Sequence, residues 1–342
     1  MSKHYTGLLL SAVLSGLALA VASTAEAQTP APATVGWEVP RTADGHPDLQ
    51  GNWTNVWITP IQREEGRGPV FTPEEVAELE EPSGDCPASP GTLDCGRGGG
   101  QVDASLSGVE YNEVYWDRGS RVAVVNGEPR TSLITRPSNG RRPPLTAEGE
   151  RRLQAERDFR SQFGPYDHPE LRPIAERCVV SFGSNAGPPM LPNGAYNNNY
   201  TIVQTPDHVM IMTEMIHDTR IIRIGDGPRL PPHIRPWFGD SWGRWEGETL
   251  VVETTNLSPR QSLLGIPPSE QMKVIERFRR VDEETILYEF TVEDPVMYSQ
   301  AWGGEVPFAR LNDRLYEYAC HEGNYSLPAV LSGARSEESE RS

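Results

Sequence analysis

A short polar segment between two apolar runs carries residues suited to acid–base chemistry. His217 stands beside Asp218, with Glu214 three residues before it and Arg220 three residues after it. A histidine titrates near neutral pH and a neighbouring carboxylate fixes its tautomer, so this segment can supply a general acid or base. The alternative is an ordinary polar turn between two strands.

A second candidate lies near the end of the chain. His321 precedes Glu322, and Tyr318 and Tyr325 provide aromatic groups on either side. A histidine–carboxylate pair against an aromatic wall is suited to proton transfer, and a disulfide at the adjacent Cys320 would hold its backbone rigid. The alternative is a strand end that carries polar side chains.

A third candidate combines aromatic and charged residues. Asp240, Trp242 and Arg244 fall within residues 239–247, and Asn199 ends a run of three asparagines upstream. Tryptophan can form the flat wall of a pocket whose charged residues orient a ligand, although core packing is its alternative role. The predicted substrate-binding residues are therefore Asp240, Trp242, Arg244, Tyr318, Tyr325 and Asn199, and the predicted catalytic residues are His217, Asp218, His321, Glu322 and Arg220.

Several well-known reaction classes have no motif in this sequence. It lacks Gly-x-Ser-x-Gly, His-Glu-x-x-His and Cys-x-x-Cys, and its Gly-rich run at residues 98–100 is not placed between a strand and a helix. The spacing of the histidines gives no support for a metal site. We therefore expect neither a cofactor nor a metal ion.

The elements that must position these residues are mainly β-strands. Eight strand-like runs lie between residues 200 and 320, the last of them at residues 315–320. In residues 285–293, Ile286, Tyr288 and Phe290 alternate with polar positions, which is the period of a half-buried strand. Short links favour antiparallel neighbours. The fold class predicted is mainly β, an antiparallel up-and-down meander that closes into a calycin-like barrel and so removes its exposed edges, with a two-sheet sandwich as the alternative.

The chain is expected to have a barrel and an irregular region before it. Residues 41–195 would wrap or cap the barrel and would carry two short helices, which begin after Thr72 and Thr146. Residues 196–335 would form the barrel, and residues 336–342 a disordered tail.

The first residues predict export. A basic stretch with Lys3 precedes an apolar run at residues 8–21, and Ala25-Glu26-Ala27 matches a cleavage site. We expect a signal peptide at residues 1–27 and a flexible tether at residues 28–40, and the apolar run is too short for a membrane span of roughly 20 residues. The alternative is an uncleaved anchor. The predicted location is the periplasm or the cell exterior.

The cysteines fit an oxidising compartment. Four cysteines in an exported chain indicate two disulfides, and three pairings are open. Local pairing joins Cys86 to Cys95 and leaves Cys178 for Cys320. The competing interpretation makes Cys320, beside His321, a catalytic thiol.

The net charge of the chain argues against two classes of partner. The formal net charge is −17. Proteins that bind nucleic acid or anionic membrane surfaces do so through clustered Lys and Arg, whereas this chain is strongly acidic. Neither is therefore expected as a partner. We expect a small-molecule substrate or ligand, no nucleic acid and no membrane span; the oligomeric state is left open.

Three long stretches resemble a family of exported bacterial proteins that is mostly uncharacterised. They are Asp-Gly-His-Pro-Asp-Leu-Gln-Gly-Asn-Trp at residues 44–53, the segment at residues 239–254 that includes Gly-Arg-Trp-Glu-Gly, and Tyr-Glu-Tyr-Ala-Cys-His-Glu-Gly-Asn-Tyr at residues 316–325. The resemblance spans nearly the whole mature chain and implies export. It implies no activity, cofactor or catalytic residue.

Two hypotheses follow from the residues. The first is an exported, cofactor-independent lyase or isomerase, with hydrolysis as a close variant, that acts on a small polar-aromatic or sugar-derived molecule. His217 and His321 would share the proton transfers, and Asp218 and Glu322 would orient them. Arg220 or Arg244 would stabilise an anion. The second is a calycin-like binding protein that captures a small hydrophobic ligand without changing it, with an apolar cavity and the histidines outside.

Overall fold

The computed structural model describes residues 37–81, 119–180, 187–192 and 197–341. The predicted signal peptide, most of the predicted tether, and Cys86 with Cys95 lie outside these ranges.

β-strands dominate the described residues. The strands are β1 Gly51–Thr54, β2 Val124–Val125, β3 Glu128–Pro129, β4 Ile134–Arg136, β5 Asn199–Gln204, β6 His208–Thr213, β7 Thr219–Ile224, β8 Asp240–Glu246, β9 Thr249–Thr255, β10 Lys273–Arg280, β11 Thr285–Glu293 and β12 Trp302–Arg310. The α-helices are α1 Pro73–Glu80, α2 Ala147–Arg160 and α3 Ser326–Arg341. Residues 315–320, predicted as a strand, have no strand pairing.

Nine strands form a closed barrel. β5 to β12 pair in chain order, and β1 pairs with both β5 and β12, which closes the ring. The predicted calycin-like barrel is confirmed. Uniformly antiparallel pairing is wrong for β7 and β8, which run parallel with Arg223 opposite Trp242, because residues 225–239 carry the chain back to the starting end instead of forming a hairpin.

The interior of this barrel is packed with large side chains. The alternation predicted for β11 is confirmed, since Ile286, Tyr288, Phe290 and Val292 are all at most 1 % exposed. Other strands contribute more aromatic residues to the same core: Trp53, Tyr200, Phe278, Trp302 and Phe308. The described side chains thus fill the barrel, as expected where small barrels bury their inward faces.

Local capping explains why the helices begin where they do. Thr72 and Glu75 form a reciprocal capping box at α1, and the Thr146 hydroxyl accepts from the Gly149 N–H at 2.9 Å at α2. Both predicted helices are present. Helix α3 was not predicted and covers most of the tail expected to be disordered; its apolar residues form no stripe that would indicate a helix.

The two ends of the barrel differ in how they are covered. We call the end with the β6–β7 turn, residues 214–218, the upper end, and the end with the β10–β11 hairpin, residues 281–284, the lower end. At the lower end the ring of His46 stacks on Trp245 at 4.9 Å, and Arg41 pairs with Glu248 at 2.9 Å. Two of the three stretches that carry the family resemblance, residues 44–53 and residues 239–254, therefore pack on each other at the lower end.

The outer wall contains a pair of carboxylates with a pH-dependent consequence. Glu289 lies opposite Glu305 in the β11–β12 pairing. Burial, and then the charge of Glu305, raise the pKa of Glu289 above its ordinary value. In the unfolded chain Glu289 ionises near its ordinary pKa of about 4.3. Between that pH and the higher pKa of the folded state, the folded chain binds more protons than the unfolded chain. The free energy of unfolding therefore falls as pH rises through this range.

We therefore predict that Glu289→Gln will stabilise the protein more at neutral pH than at about pH 4. Thermal unfolding of the wild type and the variant across this range measures the difference in melting temperature. Glu305→Gln should lower the pKa of Glu289 and so flatten the same slope. The prediction would be wrong if the melting temperature of Glu289→Gln, relative to that of the wild type, decreased as pH rises.

Candidate functional site

The first predicted cluster lies at the upper end but is divided between solvent and interior. His217 ends a short 3-10 turn, Met215–His217, and is exposed, whereas Glu214, Asp218 and Arg220 are buried. The imidazole of His217 has no hydrogen-bond or ion-pair partner among the described residues. The two carboxylates and the arginine are therefore buried, whereas the histidine beside them is not.

The backbone of this turn is strained. Ile216 and His217 have φ of 55° and 48°, in the left-handed region that a β-branched residue rarely adopts. The geometry costs about 1–2 kcal/mol per residue. The surroundings hold it in place: the Thr213 hydroxyl donates to the Met215 carbonyl at 2.9 Å, and the Glu214 N–H donates to the Asn199 carbonyl at 2.9 Å.

Glu214 joins the first cluster to the second. Its buried carboxylate accepts from the Asn199 side-chain amide at 2.8 Å and from the Tyr316 N–H at 2.9 Å. The C-terminal segment is therefore fixed against the β6–β7 turn. Glu214, which the prediction left out of its site residues, is the contact that brings these two segments together.

The second cluster itself faces solvent. His321, Glu322 and Tyr325 are exposed, and Tyr318 is half-buried. The imidazole of His321 has no hydrogen-bond or ion-pair partner within the described ranges. The catalytic roles of His217 and His321 stay predictions.

A disulfide anchors the second cluster. Cys178 and Cys320 are bonded, with their Cα atoms 5.8 Å apart, so this predicted pairing is confirmed and Cys320 carries no free thiol here. Such a bond is typical of an oxidising compartment. Within the described part of the chain, no helix is long and apolar enough to cross a membrane.

The third cluster lies on the outer wall of the barrel. The buried carboxylate of Asp240 accepts from Arg223 and from the Leu230 N–H at 2.6 Å, which fixes the loop between β7 and β8. Trp242 lies under that loop, with the guanidinium of Arg223 4.3 Å from its ring centre. Asp240 and Trp242 therefore hold a loop in place.

Strand register explains this outward placement. Ser241, Gly243 and Trp245 share the inward register of β8, so Asp240, Trp242 and Arg244 alternate outward. Arg244 is exposed and pairs with Glu246 at 2.7 Å. Asn199 is separate from them, at the start of β5 and bonded to Glu214.

A buried polar network that the sequence did not predict lies inside the barrel. The Arg220 guanidinium donates to both carboxylate oxygens of Glu276, one of them at 3.1 Å, and the two side chains are 2 % and 0 % exposed. The Tyr288 hydroxyl donates to the same carboxylate at 2.9 Å. Burial, and then the charge of Glu276, raise the pKa of Tyr288 well above its ordinary value.

A non-strand segment, residues 187–192, completes the network. The Met190 N–H donates to the Tyr288 hydroxyl at 2.9 Å, and the Asn55 amide donates to the Met190 carbonyl at 3.4 Å and to the Tyr200 hydroxyl at 3.1 Å. Met190 and Leu191 are at most 1 % exposed and belong to the barrel core. We call residues 187–192 the inserted segment.

The inserted segment approaches the arginine closely. Gly187 has φ of +75°, and a Cβ there would lie 3.0 Å from Nη1 of Arg220 and 2.7 Å from Cγ of Met190. Glycine is therefore required by both the backbone conformation and the space.

Two atoms of this network are unsatisfied. Nε of Arg220 and Oδ1 of Asn55 are buried and have no hydrogen-bond partner among the residues that the structure describes. Leaving such a group unpaired costs about 1–3 kcal/mol, so native structures seldom retain one without a reason. The network thus offers one free donor and one free acceptor beside the inserted segment.

The described residues contain no group of three His, Cys, Asp or Glu side chains arranged to hold a metal ion. The fold and the network together define a closed calycin-like β-barrel with a buried polar site at its upper end. No protein-family model matches the chain, and no curated protein matches its sequence. Membership of the exported family that it resembles stays a prediction.

Proposed function

We propose that this chain is an exported small-molecule-binding protein whose site is the buried network at the upper end of the barrel. The proposal is supported by four side chains that converge around the inserted segment: Arg220, Glu276, Tyr288 and Asn55. One donor and one acceptor of this group have no partner within the described ranges. Buried polar groups that converge in an otherwise apolar setting are typical of ligand sites. The disulfide and the predicted signal peptide support export to the periplasm or the cell exterior.

The packing of the barrel favours a ligand with polar groups. A wholly hydrophobic ligand, as the binding hypothesis predicts, would leave Nε of Arg220 and Oδ1 of Asn55 without a hydrogen-bond partner. A molecule with an apolar body and a few hydrogen-bonding groups matches both parts of this end: the aromatic core below and the network above.

A thermal-shift screen tests the proposal. Polar-aromatic and sugar-derived molecules are added to the wild type, to Asn55→Ala and to a His217→Ala, His321→Ala double variant. A ligand present at 100 times its Kd stabilises the folded protein by about 2.7 kcal/mol. We expect this stabilisation to survive in the double variant and to be lost in Asn55→Ala.

The double histidine variant also has an expected effect of its own. Both side chains are exposed, so their loss should change the free energy of unfolding by no more than about 0.5 kcal/mol. Acid–base catalysis is the competing hypothesis, and mass spectrometry of each hit after incubation tests it. Product that forms with the wild type and not with the double variant would overturn the binding proposal in favour of an enzyme.

A further inference from the structure

We infer that the ligand of this site is a short apolar peptide, or an acylated amino-acid amide of the same chemistry, which binds by displacing the inserted segment. The inference rests on the proposed function and adds the class of ligand and the manner of its entry.

The network already binds the backbone of one amino-acid residue. Tyr288 accepts from the N–H of Met190, and Asn55 donates to the carbonyl of the same residue. These two side chains therefore hydrogen-bond to the N–H and the C=O on either side of a single Cα atom. A molecule that reproduces both contacts has an N–H and a C=O in the arrangement of a peptide.

The surrounding core selects an apolar side chain at that residue. Met190 and Leu191 are 0 % and 1 % exposed and pack in the barrel core. Both apolar side chains are thus fully buried at this end of the barrel. Each one stabilises the bound segment in proportion to the apolar area that it buries. A polar residue in their place would be buried without partners.

The inserted segment leaves hydrogen-bonding capacity unused, which gives an external peptide its advantage. Nε of Arg220 can donate to a further carbonyl and Oδ1 of Asn55 can accept from a further N–H. A peptide that satisfies these two atoms as well as Tyr288 makes contacts that the inserted segment does not make. This difference provides the differential affinity that displacement requires.

The test uses N-acetyl-Pro-Met-Leu-amide as the probe, with the full-length mature protein. Isothermal titration measures its affinity, and hydrogen exchange measures the protection of residues 187–192 with and without it. We expect binding together with faster exchange in the inserted segment. The matched control is the same peptide methylated at the methionine nitrogen. Methylation removes the N–H that would donate to the Tyr288 hydroxyl, so the affinity of the control should be lower by a factor of about ten or more. This control needs no protein variant, so it does not depend on whether a variant folds.

The outcomes separate this inference from the proposed function. Binding that is insensitive to methylation, or binding without faster exchange at residues 187–192, would overturn the inference. If the probe fails while a hit from the thermal-shift screen still depends on Asn55, the inference is wrong and the proposed function stands. If the probe fails and no hit depends on Asn55, both are wrong.

Discussion

Replacing Glu276 by glutamine is expected to lower the free energy of unfolding by about 3–5 kcal/mol. Glu276 and Arg220 are paired at 0 % and 2 % exposure, and glutamine keeps the shape of the side chain while removing its charge. The guanidinium then stays buried without a counter-charge, and the Tyr288 hydroxyl loses a charged acceptor for an uncharged one. Urea denaturation at neutral pH measures the change.

The control removes both charges at once. In an Arg220→Met, Glu276→Leu double variant no uncompensated charge remains, and apolar replacements of a buried ion pair are often neutral or stabilising. We expect the double variant to recover most of the stability lost in Glu276→Gln. Equal destabilisation of the two variants would show that packing, and not charge, accounts for the loss.

Removing the Cys178–Cys320 disulfide is expected to cost about 2–5 kcal/mol. The bond joins residues 142 apart, so in the chain-entropy model it restricts the unfolded chain strongly. It also attaches the C-terminal segment, whose Tyr316 N–H donates to Glu214 at the upper end. Thermal unfolding of a Cys178→Ser, Cys320→Ser double variant measures the loss.

This measurement is cleanest in a Cys86→Ser, Cys95→Ser background, where only one bond can respond to a reductant. In this background, the protein that keeps Cys178 and Cys320 should, when reduced, unfold at the same temperature as the Cys178→Ser, Cys320→Ser variant without reductant. The double variant should not respond to reductant. A parent whose melting temperature is unchanged by full reduction would contradict the expected stabilisation.

The barrel could be predicted because its determinants are local. The alternation in β11 and the short links between strands are contained in segments of about ten residues or fewer. The closing strand β1 was missed because it has four residues and lies about 145 residues from its partner β5. The parallel pairing of β7 and β8 was missed because a loop of irregular structure has no periodic pattern.

The predicted site residues are divided between solvent, interior and outer wall because of the direction in which each side chain points. Sequence places Asp240 and Trp242 beside apolar residues, but only the register of β8 decides that they point outward. The β6–β7 turn was correctly identified as a polar cluster. Its left-handed residues Ile216 and His217 turn the histidine to solvent and leave Arg220 inside, and no local pattern encodes that choice.

One member of the network could have been found from the sequence. Glu276 occupies the inward period of β10, between Val274 and Phe278, and a carboxylate at such a position requires a buried partner. The inserted segment could not have been found, because a Pro-rich stretch predicts a surface loop, and its burial depends on contacts with strands far away in sequence.

We expect the ligand to contact the buried network and not the exposed histidines. NMR of the protein labelled with ¹⁵N-arginine and ¹⁵N-histidine, titrated with the ligand that raises the melting temperature most, distinguishes the two. We predict a large shift of the Arg220 Nε–H signal, assigned with Arg220→Lys, and little change at His217 and His321. Shifts confined to the two histidines, with the Arg220 signal unmoved, would show that the ligand does not bind at the buried network.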